Sequence, residues 1–173
     1  MKNLQTMNKG PVWYIISFIV IVLVQVLFMN NLQFSGFVNP YFYILFILIL
    51  PVNIPKYLLL ILGFILGISI DIFSNTPGIH ASATVLISFI RPFLFNTYNL
   101  DDQEKSMLPT ISNLGLIWFL RYAAVLILIH HIFLFYIEAF SFNGFLNTLL
   151  RSFFSSIFTF IFVIISQFLI FRK

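Results

Sequence analysis

Charged residues and cysteine are scarce in this chain. Asp, Glu, Lys and Arg make up only 8% of its 173 residues, whereas 61% are apolar and 19% are aromatic. Soluble domains carry about 25% charged residues, so nine basic and five acidic side chains are too few to solvate a protein surface of this size. The lack of cysteine excludes disulfides, thiolate metal sites and a cysteine nucleophile. The composition therefore predicts a protein whose surface faces lipid.

Six apolar runs, separated by short polar breaks, predict an all-α integral membrane protein that forms a single polytopic domain over residues 1–173. The predicted transmembrane helices cover residues 12–29, 41–52, 57–73, 79–95, 114–137 and 148–171. The runs are apolar all round, which disfavours the alternating strands of a membrane barrel. A full crossing needs about 20 helical residues. The short second run, between Pro40 and Pro51, is therefore read either as a crossing or as a re-entrant or tilted segment.

The distribution of basic residues predicts the orientation. Six crossings collect Lys2, Lys9, Lys56, Lys105, Arg172 and Lys173 on one side, with Arg91 close to it, and leave only Arg151 on the other. Because cytoplasmic loops of membrane proteins carry the excess of Lys and Arg, both termini and the loop 96–113 are expected in the cytoplasm. The basic residues stand singly and form no patch of the kind that binds nucleic acid.

The third run predicts a tightly packed helix face. Gly63, Gly67 and Asp71 recur every four residues and lie on one side of a helix. Glycines at this spacing allow a second helix to approach closely. The turn SNTPG at 74–78, which ends in Gly78, then leads directly into the fourth run, so the two helices are expected to form an antiparallel pair.

The fourth run predicts a polar stripe inside the membrane. The stripe consists of His80, Thr84, Ser88 and Arg91. The turn brings Asp71 close to His80, and a neighbouring acid and imidazole favour each other's charged forms in a medium of low dielectric constant. Arg91 precedes Pro92, which disfavours helix at that residue. Arg91 is therefore expected to extend to the inner interface rather than to bind a substrate.

Two functions are open for Asp71 and His80. They form either a structural clasp between two helices or a functional group such as a proton relay, a ligand site or a catalytic dyad. The clasp is favoured, because hydrolytic chemistry also needs a nucleophile and an oxyanion stabiliser, and Ser74 is only a poorly placed nucleophile. No catalytic residue is therefore assigned.

The fifth run adds histidines without the spacing of a metal site. His130 and His131 are adjacent and point to different faces, so they are interpreted as interfacial groups or as hydrogen-bond partners between helices. They lack the i, i+4 ligand pair of motifs such as HExxH, and no metal or cofactor is assigned. Gln25, Ser166 and Gln167 are likewise interpreted as polar contacts between helices.

The residues around the turn resemble the signature of the bacterial rod shape-determining MreD family, in the form associated with the Bacteroidetes lineage. The similarity rests on Gly67, Asp71, Ser74, Gly78, His80, Ala81 and the pair Arg91–Pro92. Only residues 67–92 carry this specific signal. The number of apolar segments, the length and the basic C-terminus fit the same family over nearly the whole chain.

The resemblance implies a non-catalytic inner-membrane component of the cell-wall elongation complex. Such a protein binds MreC, acts indirectly with MreB, RodA and a class B penicillin-binding protein, and supports peptidoglycan synthesis and cell shape. It also implies a helical fold similar to the substrate-binding subunits of energy-coupling-factor transporters. On this reading, the clasp between Asp71 and His80 holds two helices in the geometry that presents a surface to MreC.

Two other classes of function stay open beside this one. The first is the substrate-binding subunit of a vitamin-type transporter, in which Asp71, His80 and Arg91 face a pocket. The second is an intramembrane enzyme that depends on Asp71 or His80. Homo-oligomerisation is also open, although phenylalanine-rich surfaces gain nothing by leaving lipid that is equally apolar.

Overall fold

The computed structural model describes residues 10–32, 37–97, 108–141 and 143–170, and within these ranges the chain is helical, with no strand. The helices are α1 (Pro11–Leu27), α2 (Ile44–Ile49), α3 (Lys56–Ser74), α4 (Ile79–Thr97), α5 (Ile111–Leu114), α6 (Leu116–Ala139) and α7 (Phe145–Ile170). A 3-10 turn, Met29–Asn31, follows α1. The predicted all-α class is confirmed.

Several residues used for the sequence predictions lie outside the described ranges. They are Lys2, Lys9, Lys105, Arg172 and Lys173. The predicted loop 96–113 falls partly among them. Its last residues are described and include the start of the short helix α5.

Four helices in the described part of the chain are long and apolar enough to cross a membrane. They are α1 together with its 3-10 turn, α3, α6 and α7. The apolar part of α4, Ile79–Phe95, is slightly shorter. Large apolar side chains such as Ile61, Phe64 and Phe153 are about half exposed on the outside of this bundle. The protein thus has the character of a multi-pass membrane protein whose outer surface suits lipid.

The second apolar run lies in the centre of the bundle. Its helix, α2, has only six residues, which is about 9 Å of helix, instead of the helix predicted over 41–52. Every residue from 43 to 50 is at most 2% exposed. Pro51 lacks the N–H that would extend the helix beyond it, and Pro40 disfavours helix at the residue before it. We call residues 39–52 the buried segment.

The glycines of α3 let α4 approach closely, as predicted from their spacing. A Cβ atom at Gly67 would overlap the backbone of Ala81 and the hydroxyl of Thr84, and one at Gly63 would overlap the Ser88 side chain. Gly78 serves a different purpose. It has a φ of 86° and open space where a Cβ would lie, so glycine is needed there for the backbone conformation of the turn.

The polar side chains gather near the two ends of the buried segment. His80, His130 and His131 surround its start, and we call this the histidine end of the bundle. Arg91 lies beside its other end, which we call the arginine end. The two ends are separated by about 16 Å along α4, as the spacing of His80 and Arg91 implies.

Candidate functional site

Asp71 fixes the start of α4 at the histidine end. Its carboxylate is 3% exposed and accepts four hydrogen bonds. The donors are the Thr76 hydroxyl at 3.0 Å and the N–H groups of Gly78, His80 and Ala81 at 3.2, 2.9 and 2.9 Å. The first N–H groups of a helix have no partner within the helix, and a negative charge is favourable there. One side chain of α3 therefore anchors the beginning of α4.

The clasp between α3 and α4 is present, but its atoms differ from the prediction. Asp71 bonds the backbone N–H of His80 rather than its imidazole. The imidazole instead bonds Tyr43. The physical reason is that several unpaired N–H groups converge at the start of α4, and together they satisfy a carboxylate better than a single ring nitrogen does.

Tyr43 connects two histidines from different helices. Its hydroxyl lies 2.7 Å from Nδ1 of His80 and 2.8 Å from Nε2 of His130. A phenolic hydroxyl donates one hydrogen bond, so in a neutral cluster one histidine accepts from Tyr43 and the other donates to it. Nδ1 of His130 is buried and has no partner among the described residues. The cluster thus joins the buried segment to α4 and α6.

His131 makes a second connection, to α7. Its Nδ1 lies 2.8 Å from the Ile127 carbonyl, which can only accept, so Nδ1 carries the hydrogen. In the neutral ring, Nε2 then accepts from the Thr159 hydroxyl at 3.0 Å. Thr159 in turn accepts from the N–H of Tyr41 at 2.8 Å. Of the two readings of His130 and His131, hydrogen bonding inside the bundle is the one that the structure shows: His131 bonds α7, whereas His130 bonds the buried segment.

Neutral oxygens satisfy the backbone N–H groups at the start of the buried segment. The N–H of Asn39 donates to the Ser155 hydroxyl at 3.0 Å, and that of Tyr43 donates to Oε1 of Gln25 at 3.2 Å. The amide nitrogen of Gln25 also donates to the Pro40 carbonyl at 3.2 Å. Gln25 was predicted to make polar contacts between helices, and its contact is with this segment.

Arg91 satisfies the backbone at the other end of the buried segment. It is fully buried, and it donates to the carbonyls of Leu50 and Pro51. Its Nε also donates to the Tyr122 hydroxyl at 2.7 Å, and Tyr122 donates to the Leu48 carbonyl at 3.1 Å. Side chains of α4 and α6 therefore donate to one carbonyl in the last turn of the short helix α2 and to two carbonyls directly after its end.

The prediction that Arg91 reaches the inner interface is wrong. The last carbonyls of a helix lack partners within the helix, and inside a membrane bundle no bulk water can satisfy them. A guanidinium with five N–H donors meets this need, so Arg91 turns inward. Pro92 does not end α4, which continues through it. Such prolines are tolerated where neighbouring groups compensate for the missing bond.

A polar cavity of about 340 Å³ opens at the histidine end. Its lining residues are Met29, Asn30, Asn39, Pro40, Tyr41, Ser74, Thr76, His80, Glu138 and Arg151. Glu138 and Arg151 form an ion pair with 3.5 Å between their charged atoms, and both side chains are about one-third exposed. The Arg151 guanidinium also lies 4.4 Å from the centre of the Phe135 ring. The cavity therefore holds one fixed charge of each sign.

The arginine end has an apolar groove instead. It measures about 840 Å³ and lies between α1 and α3, where Tyr14, Phe18 and Leu62 form its sides and Phe46 and Leu50 of the buried segment form its floor. A groove of this composition on a lipid-facing surface suits hydrocarbon.

The structure separates the three ionisable residues singled out from the sequence. Of Asp71, His80 and Arg91, only His80 lines the polar cavity. The Asp71 carboxylate instead accepts hydrogen bonds from the start of α4. Arg91 lies at the arginine end. The described residues also hold no group of three or more side chains placed to bind a metal ion.

Sequence reasoning missed the hydroxyl groups that complete these contacts. They belong to Tyr43, Tyr122, Ser155 and Thr159. Tyrosine counts as an apolar aromatic residue in a hydropathy pattern, and single Ser or Thr residues are common in membrane helices. The available signal was the proline-bounded second run, whose ends need hydrogen-bond partners from elsewhere in the bundle.

Comparison with known proteins adds nothing to this geometry. No protein-family model matches the chain, and neither does any curated protein or solved structure. The support for a function therefore comes from the hairpin of α3 and α4, the buried segment and the polar cavity.

Proposed function

We propose that this protein is a non-catalytic inner-membrane component of a bacterial cell-wall elongation complex, of the MreD type, that binds MreC. One observation carries the proposal. The residues that resemble the MreD signature lie on one hairpin, in which Asp71 receives four hydrogen bonds from the start of α4 and its preceding turn. A carboxylate used in this way supports a structural role for the signature rather than a catalytic one.

The hairpin offers a surface for a partner within the membrane. Ile72, Phe73, Phe89 and Phe93 on its outside are more than half exposed. Helices in lipid associate through close packing and not through a hydrophobic driving force, so a partner needs a surface of fixed shape. Asp71 and the close contact at Gly67 fix that shape, and the proposal places MreC against it.

The proposed orientation puts the arginine end in the cytoplasm and the histidine end outside. Lys56 lies at the start of α3 and Arg121 near the start of α6, both toward the arginine end. At the other end, the charge of Arg151 is paired with Glu138. This distribution agrees with the excess of basic residues on the cytoplasmic side. MreB, RodA and a class B penicillin-binding protein would then join through MreC.

The test is co-purification from native membranes. The protein, tagged at its C-terminus, is solubilised gently, and its partners are identified by mass spectrometry beside an unrelated six-helix protein. We expect MreC with the wild type and with Ser69→Ala, a control whose hydroxyl bonds only its own helix. Asp71→Asn should recover much less MreC. If Asp71→Asn and His80→Ala proteins accumulate normally and still bind MreC, the proposed role of the hairpin is wrong.

The substrate-binding subunit of a vitamin-type transporter is the second candidate, and one observation favours it. The polar cavity takes its walls from the region after α1 and from α3, α4, α6 and α7, so it is broader than the polar stripe of α4. In this case the same purification would recover a pair of ATPases with a membrane-embedded coupling subunit, and a small molecule would accompany the protein.

A further inference from the structure

We propose that the polar cavity at the histidine end binds a small zwitterion, a molecule that carries an ammonium group a few bonds away from a carboxylate or a phosphate. This inference goes beyond the MreC-binding role and does not depend on it. It rests on the charges in the cavity, on the composition of its wall and on its depth in the bundle.

The charges in the cavity match such a molecule. The Glu138 carboxylate and the Arg151 guanidinium lie side by side, with 3.5 Å between their charged atoms. An ammonium group can bond the carboxylate while a neighbouring anionic group bonds the guanidinium, and charge-assisted hydrogen bonds are the stronger kind. A ligand that carries only one charge would form a charge-assisted hydrogen bond with only one of the two.

Arg151 also has hydrogen-bonding capacity to spare. A guanidinium has five N–H donors, and Nε of Arg151 is buried without an acceptor among the described residues. With the Asn39 amide oriented to suit its neighbours, the Asn39 oxygen accepts from Arg151 at 2.8 Å. Arg151 is therefore held in place on one side, and because its side chain is 29% exposed, N–H groups other than the buried Nε can take an anionic oxygen from a ligand.

The rest of the wall favours a polar ligand without a sugar ring. Asn30, Ser74, Thr76 and His80 contribute amide, hydroxyl and imidazole groups. Tyr41 is the aromatic phenol on the wall, but its ring packs against His80, His131 and Phe135 and is only 8% exposed. It therefore offers little free face for a sugar to stack on.

The size and depth of the cavity point to two sources of the zwitterion. A volume of about 340 Å³ holds about ten groups the size of a water molecule and is at the small end of ligand pockets. Glu138 lies next to the last residue of α6, and Arg151 lies in the second turn of α7. Such helix ends lie near the level of lipid headgroups. The zwitterion is therefore a free solute or the headgroup of an ethanolamine phospholipid.

The experiment uses the full-length chain purified in a maltoside detergent, whose headgroup carries no charge. O-phosphoethanolamine is titrated while the melting temperature is followed. Phosphocholine, which cannot donate an N–H to Glu138, and inorganic phosphate serve as matched probes. In parallel, the protein is placed in nanodiscs of phosphatidylethanolamine or of phosphatidylglycerol, and native mass spectrometry records which lipid stays bound.

The variants are Glu138→Gln and Arg151→Gln. Arg121→Gln is the matched control, because Arg121 is an exposed arginine near the opposite end of α6. We expect O-phosphoethanolamine to stabilise the wild type and Arg121→Gln. Each cavity variant should bind it about tenfold more weakly or worse, which corresponds to the loss of one charge-assisted hydrogen bond. Phosphocholine and phosphate should have smaller effects on the wild type.

The outcomes separate the two sources. Stabilisation by free O-phosphoethanolamine identifies a soluble zwitterion. Selective retention of phosphatidylethanolamine that depends on Glu138 and Arg151 identifies the headgroup. The proposal is overturned if neither probe acts, or if the effects persist in both variants. Should the variants fail to fold, equal responses of the wild type to O-phosphoethanolamine and phosphocholine, with no preference between lipids, would overturn it. Because the chain is tested alone, loss of MreC binding does not affect the result.

Discussion

The two ends of the buried segment present opposite kinds of backbone group that need hydrogen-bond partners. At the histidine end the segment presents N–H groups, which Gln25, Ser155 and Thr159 satisfy with three separate neutral oxygens. At the arginine end it presents carbonyls, which Arg91 and Tyr122 satisfy. A guanidinium offers several donors in a fixed fork, so Arg91 alone bonds two of these three carbonyls and also bonds Tyr122, which satisfies the third. Stability should therefore depend on a single residue at the arginine end and be distributed at the histidine end.

The largest effect is expected at Arg91. Arg91→Leu leaves the buried Leu50 carbonyl, directly after the short helix α2, and the Tyr122 hydroxyl without the donors that Arg91 supplies, and it should lower the free energy of unfolding by about 3 kcal/mol or more. Arg91→Lys keeps the charge but not the fork, and should fall between Arg91→Leu and the wild type. Chemical denaturation in mixed micelles measures both. If the free energy of unfolding of Arg91→Leu equals that of the wild type within experimental error, the proposed contrast between the two ends is wrong.

The second-largest loss of stability is expected at Asp71, because several hydrogen bonds at the histidine end depend on its single charge. Asp71→Asn keeps the shape but loses the charge and part of the accepting capacity toward the start of α4, which we expect to cost about 2 kcal/mol. The same denaturation assay measures the loss, with Ser69→Ala as the control on the same helix. If the loss is no larger than for Ser69→Ala, α4 does not need this anchor.

Gly67 tests the close packing of α3 against α4. A Cβ at this position would overlap the backbone of Ala81, which cannot move independently of α4, so Gly67→Ala should cost about 1 to 3 kcal/mol. Gly10→Ala is the matched control, since its Cβ would meet open space. Equal melting temperatures for the two variants would mean that α3 and α4 are further apart than the structure shows.

The smallest single effects should come from the neutral groups of the histidine end. Thr159→Val removes one hydroxyl that accepts from Tyr41 and donates to His131, and should cost about 1 kcal/mol. Ser155→Ala should cost about the same or less. Because the two residues lie one turn apart on α7 and bond the same segment, the loss in the double variant should depart from the sum of the single losses. A loss for Thr159→Val as large as that of Arg91→Leu would show that the histidine end is not distributed.

The sequence predicts α3 and α4 well. The predicted ranges 57–73 and 79–95 compare with Lys56–Ser74 and Ile79–Thr97 in the structure. Glycine and proline mark the turn between them, and the four-residue spacing of Gly63, Gly67 and Asp71 indicates which face is packed. These are local signals, so sequence alone could reveal them.

The position of the second run could not be predicted in the same way. Twelve apolar residues have the same composition whether they contact lipid or the other helices, because both environments are apolar. The direction in which the Arg91 side chain points depends on the same position of the second run. Its donors turn inward only because the carbonyls of Leu50 and Pro51 lie beside it, and the sequence does not show which segments are neighbours.

The polar cavity also depends on tertiary structure. Glu138 and Arg151 lie on different helices, joined by a short turn, and the remaining wall comes from positions as distant as Asn30 and Thr76. The sequence predicted the pair of antiparallel helices that carries His80. It did not indicate that His80 would face a cavity while Asp71 and Arg91 served the backbone.

The central claim is that the buried segment lies inside the bundle and not against lipid. Photolabelling with a diazirine that partitions into the membrane tests it on the unmodified chain, followed by mapping of the labelled residues by mass spectrometry. We expect little label on residues 43–50, which are at most 2% exposed, and strong label on Ile61, Phe64 and Phe153, which are about half exposed. Label on residues 43–50 equal to that on these three would contradict it.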